Sequence, residues 1–113
     1  MMLYTLKGKV IKGDGYGKKL GFPTVNLKTD LKGLPSSGVY AGIGILDGKE
    51  YKAGIVLGPN EKVEAHIIGY SGDAYGKEVI LNINKFLRAY KDFENEEELI
   101  EQIKKDIEVC SQA

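Results

Sequence analysis

What most limits how this chain can fold is its punctuation. Up to about residue 88, short runs of β-branched and aromatic residues are separated by Gly, Asp, Asn and Pro, and Gly alone occurs 15 times. Runs of that length between turn residues predict an antiparallel β domain. The clearest instance is Val39 to Leu57, where two strand-like runs flank Asp47-Gly48. That dipeptide suits the positive φ angles of a type I′ hairpin turn. If Leu46 faces Lys49 across the turn, Gly44 faces Tyr51, and Tyr40, Tyr51, Ala53, Ile55 and Leu57 share the core-facing side.

A second pair of runs, Val63 to Tyr70 and Lys77 to Phe86, is joined by Ser71-Gly72-Asp73-Ala74-Tyr75-Gly76, slightly longer than a tight hairpin connection. Several short strands of this kind favour closure into a barrel, which removes unpaired edges. After residue 93 the apolar period changes from about two to about 3.6. Leu99, Ile100, Ile103, Ile107 and Cys110 then form one stripe of an amphipathic helix, expected over about residues 95–109. Asn95 is placed to cap it, with Glu98 at N3, and Glu96, Glu97 and Glu98 complement the positive end of the helix dipole. Consecutive helical positions point in different directions, so this acidic run reads as helix chemistry and not as a metal site.

With 113 residues, 42% of them hydrophobic, the chain can bury one modest core, and a single domain over 1–113 is expected. Sixteen basic and sixteen acidic residues cancel. No global field gathers nucleic acid or an anionic membrane, so an anion must be held by local geometry. A nucleic-acid-binding barrel is disfavoured for the same reason and for want of an aromatic-basic stripe. The lone Cys110 cannot form an internal disulfide, and the N-terminal MMLYTLKGKV has no apolar signal region. No run approaches the roughly 18 apolar residues that span a bilayer. A cytoplasmic location is expected.

Three places carry candidate chemistry. In Gly13-Asp14-Gly15-Tyr16-Gly17-Lys18-Lys19, alternating glycines can turn successive N–H groups toward phosphate oxygens, and a lysine adds a point charge. This is not a Walker A loop, since the glycine spacing is one residue short and no Ser or Thr follows the first lysine. Taken alone, it reads equally as a glycine-rich hairpin turn. Pro23 extends the chain behind it, so that Thr24 and Asn26 in a following strand point the same way. A hydroxyl and an amide can hold Mg²⁺ when nucleotide phosphates supply most of the charge, or can simply hydrogen-bond a strand end. In Val63-Glu64-Ala65-His66-Ile67, Glu64 and His66 share one strand face. Glu64 suits a general base for a hydroxyl nucleophile, against the plainer reading of a salt-bridged surface residue. His66 beside one carboxylate makes neither a triad nor a usual metal site.

Together these segments resemble the riboflavin kinase family, in the same order and over nearly the whole chain. The resemblance is carried by Gly8 to Leu27, Gly38-Val39-Tyr40-Ala41-Gly42, Val63 to Gly76, and the closing Phe86-Leu87-Arg88 with its helix. Its most specific element is Leu20-Gly21-Phe22-Pro23-Thr24-Val25-Asn26, which has Val25 where the family commonly has Ala.

The resemblance implies a six-stranded antiparallel Greek-key barrel with a C-terminal helix. It further implies transfer of the γ-phosphoryl group of ATP, with Mg²⁺, to the 5′-hydroxyl of riboflavin, giving FMN and ADP; separately, a monomer is expected. Gly13, Gly15, Gly17, Lys18 or Lys19, Thr24 and Asn26 would serve the nucleotide, with Thr24 and Asn26 on the metal. Glu64 would be the catalytic base, and Ile67, Gly69, Tyr75 and Arg88 would lie at the flavin. The sequence departs from the family in the connection between Gly58-Pro59-Asn60 and Val63, where only Glu61-Lys62 intervene, which predicts a shortened flavin flap. The adenylyltransferase domain that many bacterial relatives carry has no room in 113 residues, so FAD synthesis is not expected. The competing expectation is a non-catalytic flavin- or nucleotide-binding barrel with a regulatory role.

Overall fold

The computed structural model describes residues 4–12, 21, 22, 24–28, 35–58 and 62–113. Six antiparallel strands, β1 (Tyr4–Ile11), β2 (Val25–Lys28), β3 (Gly38–Leu46), β4 (Lys49–Leu57), β5 (Val63–Ile67) and β6 (Glu78–Arg88), precede one helix, α1 (Glu96–Gln112). The strands close into a barrel in the order β1-β2-β5-β4-β3-β6. Since β2 returns to lie beside β5, outside the β3-β4-β5 meander, the arrangement is the expected Greek key.

The β3–β4 hairpin has the register read from its turn. Leu46 pairs with Lys49 and Gly44 with Tyr51, and both Asp47 (φ 53°) and Gly48 (φ 76°) have positive φ, as a type I′ turn requires. Tyr40, Ala53, Ile55 and Leu57 enter the core, with Tyr51 packed against its edge. The bare position at Gly44 is filled by Ile67, whose Cδ1 lies 2.7 Å from where a Cβ would stand.

The runs on either side of residues 71–76 do not form a hairpin with each other. β5 pairs with β2 and β4, while β6 pairs with β1 and β3. Their connection crosses the barrel end and is tied to β1, Gly76 N–H donating to the Val10 carbonyl and Val10 N–H to that of Lys77. Turn residues punctuate a crossing as readily as a hairpin, so local composition does not separate the two.

Alternation sorts the strands into a core face and an outer face. In β5, Val63, Ala65 and Ile67 are buried while Glu64 and His66 are half-buried on the other side. Across the outer face of β3 and β4 lies α1. Asn95 caps it, its Oδ1 accepting from Glu98 N–H at 2.9 Å. Near its other end Cys110 is fully buried against Gly54, where an added Cβ would meet Sγ at 3.4 Å.

Candidate active site

The strand registers define one row of residues running around the outer face. Ile11 pairs with Asn26, Asn26 with Glu64, Glu64 with Val56, Val56 with Val39, and Val39 with Arg88. Directly paired residues in an antiparallel sheet point to the same side, so one residue from each of the six strands enters the row.

Two cavities open onto it. The first, about 390 Å³, is bounded by Glu64, Val56, Val39 and Arg88 from the row and by Leu99, Ile103 and Ile107 from α1. The second, about 750 Å³, is bounded by Ile11 and Asn26 from the row, by Lys12, and by the crossing segment from Tyr70 to Tyr75. The boundary between them falls between Asn26 and Glu64, one strand spacing of about 4.8 Å. Thr24 lines both cavities.

Glu64 is 22% exposed and paired with Lys62, whose Nζ lies 3.3 Å from Oε1. A carboxylate so placed can receive a proton from a hydroxyl in the first cavity. Lys62 and His66 line the same cavity. Thr24 and Asn26 offer an uncharged hydroxyl and amide oxygen at the adjoining edge, a donor set that suits Mg²⁺ when a nucleotide supplies the anionic oxygens. Among the described residues there is no group of three or more His, Cys, Asp or Glu side chains able to hold a metal ion alone.

At the far end of the row Arg88 meets α1. Its Nη2 donates to Asp106 Oδ2 at 2.8 Å and its Nε to Oδ1 at 3.2 Å, while Gln102 Nε2 donates to Oδ1 at 3.0 Å. The guanidinium lies 5.6 Å from the Phe93 ring centroid, within cation–π range. With side chains 24% and 15% exposed, this is a partly desolvated, two-pronged pair, stronger than an ordinary surface ion pair. Burial pushes the neighbouring Cys110 thiol up to about 11, and Asp106 adds in the same direction.

Of the residues singled out in the sequence, Thr24, Asn26, Glu64 and Arg88 fall on or beside this row. Ile67 and Tyr75 line the second cavity, not the one that holds Arg88, and Gly69 lies in the turn after β5 with a φ of 88°. Gly13, Gly15, Gly17, Lys18 and Lys19 lie outside the described residues, as do residues 59–61 of the shortened connection. Sequence reasoning missed Asp106 and Gln102. One signal for Asp106 was available, a carboxylate set among the helical positions of Leu99, Ile103, Ile107 and Cys110.

The fold is thus a closed barrel with two cavities that share Thr24 as a wall and have one carboxylate and two neutral side-chain oxygens at their boundary, a frame able to hold two ligands side by side. The chain belongs to the riboflavin kinase family, whose domain model matches residues 1–113. It is 33% identical over 112 residues to a bifunctional riboflavin kinase/FMN adenylyltransferase of Listeria monocytogenes, covering 91% of this chain and 36% of that protein. It is also 32% identical over 111 residues to the RNA-binding riboflavin kinase RibR of Bacillus subtilis, covering 90% and 47%. The chain thus spans about a third to a half of these curated relatives. Among solved structures it resembles one described as a macrolide-efflux protein from Streptococcus pneumoniae (TM-score 0.89, 27% identity, 94% of this chain and 38% of that one). The riboflavin kinase of Trypanosoma brucei shares the fold (TM-score 0.68, 24% identity, 94% and 76%).

Proposed function

We propose that this chain phosphorylates the 5′-hydroxyl of riboflavin, using the γ-phosphoryl group of ATP with Mg²⁺. The observation that carries the reading is the position of Glu64, on the first cavity and directly beside Asn26 on the second. Riboflavin takes the first cavity, where Val56 and Val39 give its ring an apolar floor and α1 a roof. The nucleotide takes the second, continuous in sequence with the glycine-rich segment after Lys12. There the exposed Tyr75 ring, 59% accessible, offers a face for a base, and Ile67 an apolar wall. This gives Ile67 and Tyr75 to the nucleotide and keeps Arg88 with the flavin.

The hydroxyl oxygen attacks the γ-phosphorus, the new O–P bond forms as the bond to the bridging β–γ oxygen breaks, and ADP leaves. The hydroxyl proton passes to Glu64. Thr24 and Asn26 would hold the metal ion, which neutralises phosphate charge when bound. Most of the rate gain in such a reaction comes from positioning and from charge stabilisation, and the shared wall at Thr24 keeps both substrates in register. Lys62 stands beside the base and can follow the phosphate charge toward the product.

The test is incubation of the purified chain with riboflavin, Mg²⁺ and each of four nucleoside triphosphates, followed by chromatographic separation. FMN is expected, most from ATP. Tight binding of both compounds with no FMN from any triphosphate would instead support the non-catalytic barrel.

A further inference from the structure

Resting on that reading, we infer that Lys62 is a specificity-determining residue of this chain, an ammonium group that tells phosphorylated from unphosphorylated flavin and holds the phosphate monoester of the product against the outer face of the barrel. Its place follows from the short β4–β5 connection. Gly58 N–H donates to the Lys62 carbonyl at 2.8 Å, which fixes the Lys62 backbone two positions before Glu64. Leu27 pairs with Val63 and both are buried, so Lys62 and Glu64 share the opposite, outward side. Lys62 Nζ comes within 3.3 Å of Glu64 Oε1, and both residues line the first cavity.

The charge around it favours an anion. Lys28 lies next to Lys62, one residue past the Leu27–Val63 pair on the neighbouring strand, and Lys9 pairs directly with Lys28. All three are exposed. Like charges directly opposite in a sheet repel, and among the described residues no carboxylate comes within ion-pair distance of Lys9 or Lys28. Glu78, across from Lys9, is bonded to Lys7. The Lys62–Glu64 pair is neutral by itself, and Lys28 and Lys9 make this corner positive. While Glu64 is ionised it holds Lys62. Once the hydroxyl proton has passed to Glu64 that attraction is gone, and the new phosphate monoester carries about −1.5 to −2 charge at pH 7. The step along β2 from Asn26 to Lys28 is about 7 Å, comparable to the reach of a lysine's four-carbon stem. An ion pair this exposed is weak, so Nζ exchanges one oxygen partner for another readily, and its bond to phosphate is charge-assisted. Riboflavin carries no anionic group and makes no such bond.

The experiment measures the dissociation constants of FMN and of riboflavin by flavin fluorescence, on the whole chain at low ionic strength and without nucleotide. The wild-type chain should bind FMN about tenfold more tightly than riboflavin. K62M should reduce that preference to about twofold, K62R should keep most of it, and K28Q should reduce it by about threefold. Riboflavin affinity should stay within about twofold throughout, which a general loss of structure would not allow. Added to the kinase assay, FMN should compete with riboflavin, with a Ki about fivefold higher in K62M. Equal wild-type affinities for the two flavins would overturn the inference, as would a K62M chain that keeps the wild-type preference. Where K62M loses riboflavin as well, salt decides: raising ionic strength from about 0.05 to about 0.5 M should narrow the wild-type preference to about threefold or less, and a preference indifferent to salt would overturn the inference. A preference for FMN that depends on Lys62, in a chain that forms no FMN, would refute the kinase reading and leave this phosphate subsite standing. FMN formation with no such preference would do the reverse.

Discussion

Asn26 and Glu64 are direct cross-strand partners in the β2–β5 ladder, and each borders a different cavity. In the proposed reaction, donor and acceptor would approach across a single strand spacing, with the proposed base Glu64 beside the proposed phosphate-ordering Asn26. Glu64→Gln keeps the shape and removes the base. It should lower the initial rate of FMN formation by roughly 10²–10⁴-fold, with nucleotide affinity by titration calorimetry within about twofold of wild type. A variant as fast as wild type would remove Glu64 from the base role.

On the other side of the ladder, Asn26→Ala deletes an amide oxygen at the second cavity and leaves the lining of the first intact. Its expected signature is a shift of the Mg²⁺ dependence to higher concentration, by about tenfold, and a higher KM for the nucleotide. KM for riboflavin should barely change. An unaltered magnesium titration would count against a metal-binding role.

Much of this arrangement was legible before any coordinates, because its parts rest on short-range rules. Asp47-Gly48 dictates the β3–β4 register through the φ angles its turn needs, and Asn95 with the stripe from Leu99 to Cys110 dictates the helix. Thr24, Asn26 and Glu64 were recognisable by residue type and alternation. What stayed hidden depends on how distant strands close. Nothing local tells that the strand after Gly76 pairs with β1 and β3 and not with β5, or that Arg88 falls on the row of Glu64. For the same reason nothing local tells which cavity Ile67 and Tyr75 border: Ile67 ends β5 facing inward, and the cavity that both line depends on the crossing segment above it. Asp106 was missed since its partner is 18 residues away in sequence.

Val56 forms part of the apolar floor beneath α1, half-buried and paired with Glu64. Val56→Trp should fill part of the 390 Å³ cavity and raise KM for riboflavin by about tenfold or more, while KM for the nucleotide stays within about twofold. Parallel loss of both affinities would show that the cavities are not separate.

Cys110 gives a pH signature. Its ordinary value of 9.0 rises to about 11 in the fold, chiefly through burial. Between these values the unfolded chain has lost the thiol proton and the folded chain has kept it, so stability falls as pH rises from about 9 to about 11 and levels above that. The full loss is at most about 3 kcal/mol. Urea midpoints over this range should drop more steeply for the wild type than for Cys110→Ala. Parallel curves would place the thiol in contact with solvent. Alkylation of the native thiol should be correspondingly slow at pH 8.

The central claim is that both substrates sit on the barrel at once, in cavities that meet at Asn26 and Glu64. Titrating riboflavin into the Glu64→Gln chain, with and without saturating ATP and Mg²⁺, tests it most directly. The two flavin dissociation constants should agree within about threefold, FMN formation being about 10²–10⁴-fold slowed in this variant. Mutual exclusion, with riboflavin affinity falling in proportion to added nucleotide, would mean that the two compounds compete for one site and would contradict the account.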